Sequence, residues 1–406
     1  VVGKFTENPT LGSWDHSLFP SLWCIMQIFE KIGQLGHEQV VFFSLGDAKL
    51  KAIIAIHDTT LGPALGGCRM FPYENEESAL EDVIRLSRAM TYKAAATGLH
   101  LGGGKSVIIG DPKKDKTEAL FRAFGKAVGS LGGRYITAED VGTDVNDMEF
   151  IFSETDYVTG VDTSLGGSGN PSPYTAFGVL QGILASCDRG FGAPTVKGRT
   201  VAVQGLGHVG GHLAKLLKKE GATVIGCDVD KERAESLKDE HRLDALVHPD
   251  EIFDVDCDVF APCAMGLAIT EKTIDRLKCK VVAGGANNQL ASDSLGIELE
   301  SRGMVYAPDF VINAGGLINV YTELEGYNEQ RALRLVRNIF YNVQKIYQLA
   351  DKHNESSIEA ARIMVDDRLK DIARLQPHFN RFPARAAIHR QNRTPASAPS
   401  RGGVEG

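Results

Sequence analysis

A two-domain α/β chain is predicted by three observations on this 406-residue sequence. Helix and strand patterns alternate through the body of the chain. A segment rich in Gly, Ser and Pro, Gly160–Pro173, interrupts that alternation and reads as the junction between domains. Beyond it, the apolar run Thr200–Gln204 passes into a Gly-x-Gly-x-x-Gly turn and then a helical pattern, the rhythm of a doubly wound parallel sheet.

Composition narrows the class. The chain is long enough for two domains, and 43 % apolar with 24 % charged residues is ordinary for a globular protein. A net charge of −8 argues against a nucleic-acid binder, which needs a Lys/Arg excess on one face. The seven cysteines (Cys24, Cys68, Cys187, Cys227, Cys257, Cys263 and Cys279) are odd in number and contain no Cys-x-x-Cys pair. Neither a disulfide framework nor a metal site is expected, and reduced thiols point to the cytoplasm. No run approaches the roughly 18 apolar residues of a membrane span, and the N-terminus lacks the zones of a signal peptide.

The elements follow in order. Residues 1–25 hold both tryptophans without periodicity and read as an N-terminal extension; Met26 opens a patterned stretch. Val40–Ser44 and Lys51–Asp58 read as strands, and Glu77–Thr97 as a helix with Leu80, Val83, Ile84 and Met90 on one face. Val107–Gly110 and Tyr135–Ala138 are short strands around a helix near Glu118–Ser130. After the junction come a helix (Thr175–Asp188) and strands at Thr200–Gln204, Thr223–Asp228, Ala245–Val247, Asp258–Ala261, Val281–Gly284 and Val305–Ala307. Glu329–Leu375 is helical and is expected to pack back on the first domain. The tail 377–406, with five arginines, four prolines and one acidic residue, reads as disordered. The expected domains are therefore 26–165, 166–325 and a helical return over 326–376.

The Gly-rich turn carries the first functional signal. Gly205 permits a tight turn, Gly207 lets a pyrophosphate approach the backbone, and Gly210 allows close helix–strand packing. The helix N-terminus adds free N–H groups and partial positive charge. The next strand ends at Asp228, 23 residues after Gly205. A carboxylate there accepts hydrogen bonds from ribose hydroxyls and repels a 2′-phosphate, so NAD is favoured over NADP. This is the Rossmann pattern. His208, inside the motif, reads as a surface residue beside the cofactor.

The second signal is a pair of lysines. Lys93 ends an amphipathic helix, Lys105 leads into a strand, and glycines lie between them. Neighbouring ammonium groups depress each other's pKa and burial adds to the effect, so one can serve as a base while the other holds a carboxylate. Glu139 and Asp140, at a strand end, offer an acid to exchange protons with an amine. Each of these residues also has a plain structural role open to it: a C-terminal helix lysine, a turn or capping acid. Gly102-Gly-Gly-Lys105-Ser106 is not a P-loop, because position 99 is leucine and Lys105 precedes a strand.

Several motifs in fixed order then match one family. They are Asp58-Thr-Thr-Leu-Gly-Pro-Ala-Leu-Gly-Gly67, Met90-Thr-Tyr-Lys93, Gly102-Gly-Gly-Lys105 and Ile136-Thr-Ala-Glu-Asp140-Val-Gly, followed by Ser168-Gly-Asn-Pro-Ser-Pro-Tyr-Thr175, Ala261-Pro-Cys-Ala264, Gly285-Ala-Asn-Asn-Gln289 and Ile312-Asn-Ala-Gly-Gly316. Over roughly Met26–Leu375 the chain resembles the Glu/Leu/Phe/Val dehydrogenases, most closely the leucine branch. The resemblance implies a substrate and oligomerisation domain, a Rossmann domain and a cleft between them. It implies NAD-dependent, reversible oxidative deamination of a branched-chain L-amino acid (leucine, valine or isoleucine) by a homo-oligomer, often an octamer. It assigns the substrate α-carboxylate to Lys93, with Gly66, Gly67 and Met90 nearby, the general base to Lys105, and proton exchange with the substrate nitrogen to Asp140. Asn313 would orient the amine, and Leu65, Gly66, Ala138, Leu317 and Val320 would line the side-chain pocket. Thr175 and Asn288 would flank the nicotinamide. Leu206, His208, Val209, Val229, Ala261, Cys263 and Ala264 would complete the cofactor site around Gly205, Gly207, Gly210 and Asp228. Hydride would leave the substrate Cα, Lys105 would activate water against the iminium, and closure about Gly160–Pro173 would exclude solvent. Two positions depart from the leucine branch: Leu317 where valine is common, and Gly104 where alanine is usual. The alternatives are an aromatic-preferring amino-acid dehydrogenase and a non-catalytic NAD-binding protein.

Overall fold

The computed structural model describes residues 22–264 and 266–375, with side chains from residue 28 onward. Helix α1 (Leu22–Leu35) starts four residues ahead of Met26, so the boundary expected at 25/26 falls inside a helix. The rest of the N-terminal extension and the tail 377–406 lie outside the described residues.

A mixed five-stranded sheet forms the first half. Its strands are β1 (Gln39–Leu45), β2 (Leu50–Asp58), β3 (Ala64–Phe71), β4 (Gly102–Ile109) and β5 (Tyr135–Glu139), in the order β1-β2-β4-β3-β5. The pairs β1–β2 and β2–β4 are antiparallel; β3 runs parallel to both β4 and β5. Successive side chains of a strand point to opposite faces, and both faces here are covered. Ile53, Ala55 and Val107 pack under α2 (Glu76–Ala96) against Leu80, Val83 and Ile84. Ile54, Ile56 and Ile108 pack with Phe121 and Phe124 of α3 (Glu118–Ser130) and Ile151 of α4 (Val145–Phe152). Burial on both faces explains why β3 shows no alternation in the sequence. It also explains why β4 begins at Gly102, five residues before the strand expected at Val107. Helix α2 crosses β4 so closely that a Cβ on Gly103 would sit 2.1 Å from Thr91 N, so a glycine at 103 is what lets the helix carrying Lys93 pack against the strand carrying Lys105.

The second sheet is parallel throughout. It contains β6 (Thr200–Gln204), β7 (Thr223–Cys227), β8 (Ala245–Leu246), β9 (Val259–Pro262), β10 (Val281–Val282) and β11 (Val305–Tyr306). The order β8-β7-β6-β9-β10-β11 reverses direction between β6 and β9, and that switch point is where such sheets bind ligands. Around the sheet lie α5 (Ser172–Phe191), α6 (His208–Lys219), α7 (Lys231–His241), α8 (Asp293–Ser301), α9 (Asp309–Ile312) and α10 (Gly315–Glu323).

Two long helices close the described chain, α11 (Glu329–His353) and α12 (Ser357–Ala373). The apolar stripe of α11, Val336, Ile339, Val343 and Ile346, shares a core with Val179 and Ile183 of α5. α12 is the helix that returns to the first domain. Arg368 donates to Ala95 O at 2.6 Å and Leu99 O at 2.9 Å, capping the end of α2, and Tyr92 OH donates to Asp366 at 3.0 Å. Among the described residues no helix is long and apolar enough to cross a membrane, and no group of His, Cys, Asp or Glu could hold a metal ion.

Candidate active site

Three sequence-predicted residues meet at the domain boundary. Lys105 lies in β4, is buried, and places Nζ 2.5 Å from Asp140 Oδ2, just past the end of β5. Parallel pairing of β3 with both strands puts Gly66 and Gly67 between them. Lys93, in the last turn of α2, donates to Asn287 Oδ1 at 3.3 Å across the cleft.

The electrostatics follow from the placement. Burial pushes the Lys93 ammonium down to about 8; Lys105 adds repulsion, while Asp309 and Asp140 oppose both. Burial alone would raise the Asp140 carboxyl, but Lys105 and Arg69 outweigh it and hold it below the usual carboxylate range. Burial raises the Asp309 carboxyl, against hydrogen bonds from Gln289 N and the charge of Lys93.

Three of these partners escape the sequence analysis. Arg69 donates from Nε to Asp140 Oδ2 at 3.2 Å and from Nη1 to Asp82 Oδ2 at 2.8 Å. A lone cation inside the apolar run Ala64–Met70 is the signal that could have found it. Asp309 follows Pro308 at the start of α9, a position indistinguishable in sequence from a helix-opening acid. Asn287 accepts from both Lys93 Nζ and Asn313 Nδ2, the latter at 2.9 Å. Asn313 itself is buried, with Oδ1 lacking a hydrogen-bond partner. A buried carbonyl oxygen in that state is suited to an N–H donor from a ligand.

The residues expected to line the side-chain pocket are apolar and buried. Leu65 and Ala138 come from β3 and β5, Leu317 and Val320 from α10, and all four are buried. Met90 lies on α2 three residues before Lys93. The glycine at 104 has a reason in the fold: a Cβ there would lie 2.7 Å from the ring of Tyr135, whose hydroxyl donates to Gly66 O at 2.5 Å.

The Gly-rich turn joins β6 to α6 at the switch point. Gly205 has φ +88°, and a Cβ on it would meet Ala264 N at 2.7 Å. Gly207 borders open space at the start of α6, whose N-terminus has no side-chain cap. Uncapped N–H groups facing open space fit a phosphate. Asp228 follows β7 and accepts from Leu206 N at 2.8 Å, Asp230 N at 2.9 Å and Arg233 Nη2 at 2.7 Å. Val229 beside it is 85 % exposed, an apolar surface for a flat ring. His208 is exposed and Val209 half-buried, at the head of α6. Leu206 and Ala261 are fully buried, so they pack the turn from below and present no surface to a ligand. Cys263 Sγ accepts from Gly285 N at 3.4 Å. Thr175 sits in the first turn of α5 with Oγ1 donating to Pro171 O at 3.2 Å, and Asn288, at φ +53°, is exposed.

Residues 37–157 match the family model for the Glu/Leu/Phe/Val dehydrogenase dimerisation domain, and residues 166–376 match the Glutamate/Leucine/Phenylalanine/Valine dehydrogenase model. The chain belongs to the Glu/Leu/Phe/Val dehydrogenase family. The dehydrogenase is 53 % identical to the leucine dehydrogenase of Thermoactinomyces intermedius, over 87 % of this chain and 96 % of that one. It is 48 % identical to the phenylalanine dehydrogenase of Caldalkalibacillus thermarum, over 87 % and 96 %. The crystal structure of L-tryptophan dehydrogenase from Nostoc punctiforme superposes with a TM-score of 0.77 at 43 % identity, covering 86 % of this dehydrogenase and all of that chain. Family membership implies a nicotinamide dinucleotide as cofactor, and the turn at Gly205–Gly210 has the shape and free N–H groups to hold one.

Proposed function

We propose that this dehydrogenase oxidatively deaminates a branched-chain L-amino acid, with leucine as the preferred substrate, using NAD. The convergence of Lys93, Lys105 and Asp140 beside an apolar pocket wall carries this reading. A glutamate side chain against Leu65, Ala138, Leu317 and Val320 would be an unpaired charge and is disfavoured. Identity to a leucine dehydrogenase over most of both chains supports the same substrate class. NAD, in place of NADP, is proposed because the Asp228 carboxylate would repel a 2′-phosphate.

Each residue then has a role. Lys93 holds the α-carboxylate as its ammonium form. Asn313 Oδ1 accepts from the substrate amine. Thr175 and Asn288 would hold the nicotinamide, which when bound would accept hydride from the substrate α-carbon. Lys105 takes a proton from the water that adds to the resulting iminium carbon. Asp140, in contact with Lys105, passes a proton to the nitrogen so that ammonium departs and a 2-oxo acid remains. Arg69 keeps Asp140 ionised between turnovers.

We also propose a homo-oligomer, octameric as in the leucine branch, joined through the first domain. The matched family model describes that domain as a dimerisation domain, and the edge strand β1 leaves Phe42 and Leu45 exposed. Six described cysteines are free thiols, which supports a cytoplasmic location.

An aromatic substrate is the second reading, favoured by the phenylalanine and tryptophan dehydrogenases among the relatives. Parallel assays of NADH formation from leucine, valine, isoleucine, phenylalanine, tryptophan and glutamate decide between them. Leading rates on the aliphatic substrates support the proposal. Leading aromatic rates move the error to the pocket wall. No oxidation by folded, dinucleotide-bound protein leaves a binding protein instead of an enzyme.

A further inference from the structure

Glu323, the last residue of α10, carries its carboxylate inside the protein, and the residue is 2 % exposed. Donors from Gly160 and Ser168 converge on it. Gly160 N donates to Oε1 at 3.2 Å and Oε2 at 3.0 Å, while Ser168 N donates to Oε1 at 2.9 Å and Ser168 Oγ donates to the same oxygen. A buried carboxylate is tolerated only where such donors replace water. These donors belong to the two ends of the segment that crosses between the domains.

The hydrogen bonds continue in both directions. Upstream of Gly160, Thr159 N donates to Thr137 O at 2.9 Å and Thr137 N donates to Tyr157 O at 3.0 Å. Thr137 immediately precedes Ala138 in β5. Downstream, Asn319 Nδ2 donates to Ser168 O at 3.4 Å, and Asn319 sits between Leu317 and Val320 on α10. Glu323 thus joins the first-domain wall of the apolar pocket to the second-domain wall through a short chain of hydrogen bonds. The Glu323 side chain thus gathers both ends of the crossover at one point.

We propose that Glu323 is a positioning residue that sets the register between Ala138 and the Leu317–Val320 wall, and with it the width of the side-chain pocket. The inference rests on the amino-acid dehydrogenase reading above. It predicts an effect on side-chain discrimination, which a general loss of stability would not produce.

Glu323→Gln tests it. The amide keeps the size but turns one acceptor into a donor, facing an N–H with another N–H. We expect kcat/KM for leucine to fall at least about tenfold, and that for 2-aminobutyrate, whose short side chain leaves the pocket unfilled, by less than about threefold. NADH affinity, from fluorescence titration, stays within about twofold. Ser168→Ala removes one donor and leaves the carboxylate, and it shifts the leucine to 2-aminobutyrate ratio in the same direction by less. If Glu323→Gln cannot be recovered folded, the Ser168→Ala ratio decides. Equal losses on both substrates, or an unchanged ratio, overturn the inference. A wild type inert toward both substrates overturns the dehydrogenase reading and this inference with it; an active wild type with an unchanged ratio overturns this inference alone.

Discussion

Lys105 Nζ and Asp140 Oδ2 lie 2.5 Å apart, one in β4 and the other just past β5, with β3 between the two strands. The contact lets a proton pass between them without bulk solvent. It also fixes both side chains, since Arg69 holds the same oxygen at 3.2 Å.

Replacing Lys105 by alanine is expected to lower kcat/KM by roughly 10²–10⁴, the usual contribution of a positioned general base. Dinucleotide binding should persist, because the Gly205–Gly210 turn is on the other domain. Initial rates of dinucleotide reduction check it, and a variant within about tenfold of wild type would remove Lys105 from the chemistry.

Carboxylate binding should weaken as pH rises through about 8. Lys93 is pushed down to about 8 by burial, so its charged form predominates below that pH and its neutral form above. An unreactive carboxylate such as 4-methylpentanoate should lose about tenfold in affinity per pH unit above the transition. Lys93→Gln should flatten the profile. An inhibition constant unchanged from about pH 7 to about pH 9.5 in the wild type would contradict the role given to Lys93.

Exchanging Asp228 for serine should relax the choice of dinucleotide. The change removes the Asp228 charge and releases Arg233 Nη2, now 2.7 Å from Asp228 Oδ1, to receive a 2′-phosphate, while Nη1 stays 3.6 Å from Asp230 Oδ2. The NAD to NADP ratio of kcat/KM should drop at least about tenfold. A ratio that stays put would mean that Asp228 serves only the turn, through Leu206 N.

Acid should destabilise the fold through a histidine pair under α2. His37 and His57 meet edge to face with centroids 4.8 Å apart, and His57 Nδ1 lies 2.8 Å from Thr91 Oγ1. Burial pushes both down from 6.5 to about 4. Between those values the unfolded chain binds protons that the native state refuses. Stability is therefore full above 6.5 and falls as pH drops toward about 4. Urea unfolding across this window measures the slope, and His57→Gln should reduce it by about one proton. An identical slope in wild type and variant would assign the acid sensitivity elsewhere.

What the sequence determined by itself is local. The 3.6-residue period of α2, the order of strands Thr200–Gln204 and Thr223–Cys227, the Gly205–Gly210 turn and Asp228 are all written in contiguous residues, where periodicity and turn chemistry act. Lys93, Lys105 and Asp140 were legible as candidates because each stands in a short motif.

The tertiary structure decided the rest, because it depends on which strands pair. β3 is buried on both faces and so shows no alternation, and β4 opens on three glycines that meet Asp58, α2 and the Tyr135 ring in turn, contacts visible only once these elements have packed. Arg69 reaches Asp140, and Asp309 faces Lys93, across sequence separations that no local pattern encodes. Burial then sets the charge of Lys93, and burial is a property of the packed domains, not of the residue.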